Sequence, residues 1–183
     1  MILKAKKKVK LKKIKSIKIK VKDIIDFKSK EKFDVCLMMF NVINYIDTDT
    51  KLKKLFSNIH SSLKKDGLLI FDQWKFAKIN KKNIKIKKII TNKQVIQRKG
   101  KTELIKSNNH LKIDYEYNTR SLINGEIKNF VETHYLKIYN LNKIKLLFKN
   151  KFKILKYLSW MYYKKKPSNR DTQSFVVAKK INL

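Results

Sequence analysis

Residues 33–45, FDVCLMMFNVINY, and residues 67–74, GLLIFDQW, carry almost no charge in a 183-residue chain that holds 47 Lys+Arg. Continuously apolar runs of this length are expected of parallel strands covered on both faces. Between them lies DTDTKLKKLFSNIHSSLKKDG at 47–67, which places Leu52, Leu55, Phe56, Ile59 and Leu63 on one helical face. Thr50 or Asp49 can cap its start, and Gly67 can take the left-handed position just past its end. A dry strand joined through an amphipathic helix to a second dry strand is a βαβ unit, whose crossover is right-handed. This pattern makes the fold class α/β.

The flanking segments fill out that frame. Met1 to about Lys15 is loosely helical. IKIKVKDIIDF at 17–27 alternates Ile17, Ile19 and Val21 with Lys18, Lys20 and Lys22, the signature of a half-buried strand. After Trp74, segments near 84–90, 94–98, 103–107, 110–120 and 126–139 alternate polar with apolar, as antiparallel strands with one wet face do. Asn124-Gly125 signals a two-residue hairpin between the last two. A short helix at 141–150, the segment FKILKYLSW, a loop around Pro167 and a terminal strand QSFVVAKK complete one domain.

The formal net charge is 47 − 14 = +33, which favours contact with polyanions. Only Arg98, Arg120 and Arg170 are arginines, leaving 47 − 3 = 44 lysines spread over the whole chain. Bidentate reading of phosphate or guanine favours arginine, so the expected polyanion contact is nonspecific. Cys36 is the sole cysteine and falls inside a dry run, which excludes an intrachain disulfide and suits a small buried thiol. No cysteine accompanies the scattered His60, His110 and His134, so no metal site is expected. Gly67, Gly100 and Gly125 are the only glycines, which excludes a glycine-rich nucleotide loop in these residues. No run reaches 18 apolar residues and MILKAKKKVK has no apolar signal core, so a cytoplasmic protein without a transmembrane segment is expected.

Ligands of parallel sheets bind outside the carboxyl ends of the strands. Asp23 closes IKIKVK, Asn41 and Asn44 follow FDVCLMMF, and Asp72 with Gln73 and Trp74 closes LLIF. Each of these groups could meet a ligand or simply cap the next element. Asp34 begins its strand and reads as structural. His60 falls on the polar side of the long helix and reads as solvated. His134 and Glu132, two apart in an alternating segment, point to one face; they could form an acid/base couple or be ordinary strand residues.

With these pieces in order, the chain resembles the class I S-adenosylmethionine-dependent methyltransferases, in the branch of small-molecule and sugar-amine N-methyltransferases. The matching stretches are IKVKDIIDF, then EKFDVCLMMFNVINYIDTDTKLKKLFSNIHSSLKKDGLLIFDQW, then VETHYLKIYNLNKIKLLFKNKFKILKYLSW, and SFVVAKK. The strand, the N-x-x-x-Y turn, the helix, K-x-G and the strand ending in Asp-x-Trp carry the most specific likeness. The resemblance implies a partial doubly wound, mostly parallel, Rossmann-like sheet with an inserted antiparallel substrate lobe at 78–139, within a single truncated domain, 1–183. It implies S-adenosyl-L-methionine as cofactor, with Asp23 beside the adenine, Ile24 on the ring, and Phe40 and Asn41 under the methionine part. Asn44, Tyr45, Asp72, Trp74, Glu132 and Tyr139 would then face a small-molecule substrate, and His134 would be the catalytic base. The family's opening strand and glycine-rich turn have no counterpart here. The expectation is therefore either completion by a second polypeptide or a non-catalytic remnant, for which the alternative role is a basic polyanion- or nucleic-acid-binding module.

Overall fold

The computed structural model describes residues 2–75, 84–105, 109–160, 162, 164–169 and 171–182. The central unit is β1 (Phe33–Met38), a 3-10 turn at Val42–Tyr45, α2 (Asp49–Ser62) and β2 (Leu63–Trp74), with α1 (Ile2–Leu11) ahead of it. β1 and β2 run parallel, with Val35 beside Leu68 and Leu37 beside Ile70, so the expected βαβ crossover forms. The terminal strand β8 (Gln173–Lys180) lies antiparallel against β2, and β7 (Phe152–Ser159) antiparallel against β8, giving the order β1-β2-β8-β7. A second, wholly antiparallel sheet, β3-β4-β5-β6, is built from β3 (Lys85–Ile90), β4 (Gln94–Ile105), β5 (His110–Ser121) and β6 (Ile127–Lys137). α3 (Leu141–Phe148) leads back into β7.

The helix face read from the sequence is the one buried. Leu52, Leu55, Phe56 and Ile59 of α2 pack with Ile144, Leu147 and Phe148 of α3 on one face of the first sheet, against Met38, Leu69, Phe71, Val176 and Ala178. The Phe56 ring sits edge-on to Phe148 at 4.7 Å, a favoured aromatic geometry. The cap of α2 is Thr48, one residue before the expected pair, whose side chain accepts from the Lys51 N–H at 3.2 Å. Thr48→Ala is expected to cost about 1 kcal/mol in denaturant unfolding, the usual worth of a threonine cap.

Several expectations are corrected. Gly67 does not end the helix, which stops at Ser62, but lies inside β2; Asp66, with φ 61°, takes the left-handed conformation. Gly67 is needed for close approach instead, since a Cβ there would lie 3.0 Å from the Lys64 carbonyl and 3.2 Å from that of Asp34. Residues 17–23 form no strand and pair with none of the described strands. β1 is not covered on both faces: Cys36 and Met38 turn to the core, while Phe33, Val35 and Leu37 are exposed. The segment expected at 94–98 and the described part of that expected at 103–107 belong to the single strand β4, and 106–107 lie outside the described residues. The hairpin at Asn124-Gly125 forms with a longer loop than expected: Arg120 pairs Ile127, and the Ser121 N–H donates to the Glu126 carbonyl at 2.8 Å. The Ser121 hydroxyl and the Asn124 side chain accept from loop N–H groups, which stabilises the extra residues.

His60 is not free in solvent. Its Nε2 donates to the Ile181 carbonyl at 2.9 Å and its ring stands edge-on to Phe152, so the last turn of α2 is tied to the residues after β8. The Cys36 thiol is half-buried and pushed up to about 11 by that burial. Asp34 makes an exposed ion pair with Lys64 at 2.9 Å.

Candidate active site

The carboxyl ends of β1 and β2 emerge side by side, as parallel neighbours must. Just beyond β1 the chain takes two consecutive left-handed residues, Phe40 at φ 67° and Asn41 at φ 59°. Such conformations cost on the order of 1–3 kcal/mol each for non-glycine residues and persist only where surroundings impose them. Here the imposing group is Asp72, only 1% exposed. Its Oδ2 accepts from the Phe40 N–H at 3.1 Å and its Oδ1 from the Asn41 N–H at 2.8 Å. Successive N–H groups converging on one anion form a backbone nest. Burial pushes the Asp72 carboxyl up, and the N–H groups of Asn41 and Phe40 draw it back down. The turn so fixed leaves the Phe40 ring 84% exposed at the rim of the sheet.

Asn44 is wholly buried, and its amide is spent on backbone. Its Oδ1 accepts from the Trp74 N–H at 2.8 Å, and its Nδ2 donates to the Lys137 carbonyl at 2.7 Å. The side chain therefore clamps the end of β2 to the end of β6 and fixes the second sheet against the first. This corrects its expected role as a substrate contact. Tyr139 is corrected likewise: it is a core residue, 1% exposed, with its hydroxyl donating to the Ile46 carbonyl at 2.6 Å. Burial, with Asp49 and Asp47 nearby, pushes that hydroxyl's pKa up.

One turn beyond the nest, Tyr45 reaches across to the second sheet. Its hydroxyl lies 2.9 Å from Nδ1 of His134, and His134 Nε2 lies 4.0 Å from a Glu132 carboxylate oxygen. When Nδ1 carries no proton, it accepts this hydrogen bond from the phenol. Burial, then the neighbouring Tyr115 and Glu132, push the Tyr45 pKa up, so the phenol stays protonated and remains a donor. The Tyr115 ring stands edge-on to the imidazole at 5.6 Å.

These groups open on a cavity of about 240 Å³ between the two sheets, walled by Phe40, Asn41, Tyr45, Trp74, Tyr115 and His134. Among the described residues that line it, none is a lysine or an arginine, in a chain with 47 of them. Aromatic faces favour a neutral or cationic guest, because ring quadrupoles attract cations. Asp72 supports the cavity from behind, through the nest.

Two expected residues are not brought here. The Asp23 carboxylate accepts from the Ile25 N–H at 2.8 Å in a local turn. Ile24 packs against the main core beside α2, and Asn58 secures the segment by donating to the Ile25 carbonyl at 2.7 Å. Two residues that the sequence reading passed over do line the cavity. Gln173, at the start of β8, donates to the Asn41 side-chain oxygen at 3.4 Å. Tyr115 sits over Gly100, where a Cβ would come within 3.1 Å of its ring, and under the Arg98 guanidinium at 4.6 Å. A lone glycine inside an alternating strand was the available signal for such a close approach. Among the described residues no group of three or more His, Cys, Asp or Glu side chains could hold a metal ion, and no helix is long and apolar enough to cross a membrane.

No family model and no curated protein matches the sequence. Solved structures do. A crystal structure of an S-adenosylmethionine-dependent methyltransferase from Clostridium acetobutylicum superposes with a TM-score of 0.77 at 21% identity, covering 98% of this chain and 71% of that one. The cofactor-bound structure of an amino pentose methyltransferase from Micromonospora echinaspora gives a TM-score of 0.74 at 12% identity, covering 97% and 71%. A sugar N-methyltransferase from Streptoalloteichus gives 0.77 at 13% identity, covering 99% and 69%. At these identities the likeness establishes the fold: the chain has the architecture of S-adenosylmethionine-dependent methyltransferases.

Proposed function

We propose that the chain serves methyl transfer from S-adenosyl-L-methionine to an amine on a small molecule, with the cavity between the sheets as the acceptor site. The observation that carries this reading is the Tyr45–His134 hydrogen bond opening on an aromatic cavity beside the Asp72-pinned turn. The aromatic walls suit the sulfonium end of the cofactor, and Phe40 and Asn41 are the residues that would hold its methionine part. When bound, that group supplies an electrophilic methyl, and the transfer depends mainly on alignment at near-attack distance.

The chain's own residues then have defined tasks. Trp74 and Tyr115 orient the acceptor between the sheets. The Tyr45 hydroxyl, donating to His134 Nδ1, can accept the proton an amine sheds as it becomes a nucleophile and pass its own to the imidazole. Glu132, half-exposed beside Nε2, stabilises the imidazolium so formed and connects it to solvent. Asp23 and Ile24 are kept as candidates for the adenine side, although they lie apart from the cavity.

Isothermal titration of the chain with S-adenosylmethionine, alone and with the polypeptide encoded immediately upstream, tests the proposal. Binding in either arm that Asn41→Ala or Phe40→Ala weakens at least about tenfold, one 1.4 kcal/mol step, is the expected result. Absence of heat in both arms overturns it.

A further inference from the structure

The second sheet has two unlike faces. Cross-strand partners share a face, so one face carries the row Lys87, Arg98, Tyr117 and Phe130, one residue from each strand in spatial order. The next row on that face is Lys85, Gly100, Tyr115 and Glu132, and the row after it holds His134. The Tyr117 and Phe130 rings are stacked, with centroids 4.7 Å apart and planes 12° from parallel, and Phe130 is 45% exposed. Exposed rings continue beyond the lobe at Tyr45 and Phe40. Tyr115, between Gly100 and the Arg98 guanidinium, holds that cation beside the stacked pair. Lys85, Lys87 and Arg98 pair with no carboxylate among the described residues, and Glu132, the one acid of the first two rows, lies toward His134. On the opposite face Lys99 is paired with Glu116 and Lys112 with Asp114.

We propose that this face binds single-stranded nucleic acid, with bases stacked on the Tyr117–Phe130 pair and phosphates held by Arg98, Lys87 and Lys85. The chemistry of the row selects that occupant. Every base offers a flat π-face to an aromatic ring, and cations beside the rings neutralise the backbone. Arg98 is one of only three arginines in the chain. Stacked on Tyr115, its guanidinium keeps its N–H edge for an anion, the planar fork that suits phosphate. Neighbouring strands lie about 4.8 Å apart, so the four-residue row spans about 14 Å. Tyr45 and Phe40 then add further exposed rings. A small ligand occupies one step of such a series, whereas a strand occupies several. A duplex does not fit, because its bases are stacked on one another and present only their edges. Unpaired cations set beside exposed rings, and not the net charge of the chain, distinguish this face from the lysines elsewhere.

This surface does not depend on the methyl transfer proposed above, and its test reads affinity for nucleic acid. Fluorescence anisotropy follows the full chain with a labelled oligothymidylate of about 12 nucleotides, within the usual range of single-strand sites, at about 0.15 M salt. Saturable binding is expected. Phe130→Ala, and Phe130→Leu, which keeps an apolar contact and loses the ring, should each weaken it at least about tenfold, whereas Phe130→Trp should retain it; circular dichroism of each variant should match the wild type. Arg98→Ala should weaken binding more than Lys88→Ala, which removes a charge from the opposite face. Inorganic polyphosphate, which has charge and no bases, should bind Phe130→Ala as tightly as wild type. No binding of the oligomer, equal losses of oligomer and polyphosphate affinity in Phe130→Ala, or equal losses in Lys88→Ala and Arg98→Ala overturn the proposal. So does thymidine monophosphate or a duplex bound as tightly as the oligomer. Oligomer binding without any binding of S-adenosylmethionine leaves this surface standing and overturns only the function proposed above, and the reverse result leaves that function standing.

Discussion

His134→Ala is expected to lower the methyl-transfer rate by about 10²–10⁴-fold, the usual contribution of a positioned acid/base group, while changing the KM for the acceptor little. The expectation follows from the chain of contacts Tyr45, His134, Glu132, in which the imidazole is the one group able to take up a proton near neutral pH. Tyr45→Phe removes the hydroxyl between acceptor and imidazole and should have an effect of the same kind, and the double variant should be no worse than His134→Ala alone, because the two act as a unit. The pH profile is diagnostic. An acidic limb in the wild-type rate profile should be absent from His134→Ala. If His134→Ala retains a rate within about threefold of wild type, which is under 1 kcal/mol, the acceptor needs no base and alignment alone supplies the catalysis.

Asp72→Asn should be the most damaging conservative change in the chain. An amide can accept one of the two N–H groups now bound by the carboxylate, and it presents an N–H to the other. One buried donor is lost and a donor faces a donor, a cost of about 1–3 kcal/mol, while the left-handed pair at Phe40 and Asn41 loses the group that imposes it. Thermal or urea unfolding measures the first effect, and S-adenosylmethionine affinity, expected to fall at least about tenfold, one 1.4 kcal/mol step, the second.

The pH dependence of the Asp72 variant separates it from any surface carboxylate. The folded-state pKa of Asp72 is raised, chiefly by burial. Between the unfolded value and that raised value the native state holds more protons, so this residue's contribution falls as pH rises through the carboxylate range. The stability gap between wild type and Asp72→Asn should therefore narrow as pH rises through that range. Asp49 has the opposite sign. Its pKa is lowered by Lys143 and Lys137, so its contribution is present above the unfolded value and lost on acidification, and the gap to Asp49→Asn should widen as pH rises. A gap for Asp72→Asn that moves with that for Asp49→Asn would show that the nest hydrogen bonds outweigh burial.

The elements themselves were legible to very different degrees. The βαβ unit, the antiparallel lobe and the terminal strand each follow from a periodicity that survives in the fold, because alternation and 3.6-residue spacing report which side chains must leave water. The lysine alternation at 17–23 misled, because a strand also needs a neighbour, and a pattern of side chains says nothing about whether one is present. At the site, the pairing of Asn41 with Asp72 was foreseeable from adjacency of parallel strand ends, and His134 with Glu132 from their spacing. The burial of Asn44 and Tyr139, and the contact between Tyr45 and His134 across 89 residues of chain, were not.

Local spacing and the chemistry of each side chain were enough for α2, the two dry strands it joins, the antiparallel lobe and the polar residues that gather at one rim of the sheet. The tertiary structure alone decided which of those residues face a cavity and which are consumed as clamps. It also decided that one face of β1 stays open, because burial and hydrogen-bond partners depend on how the second sheet docks on the first, a long-range relation that no local pattern encodes.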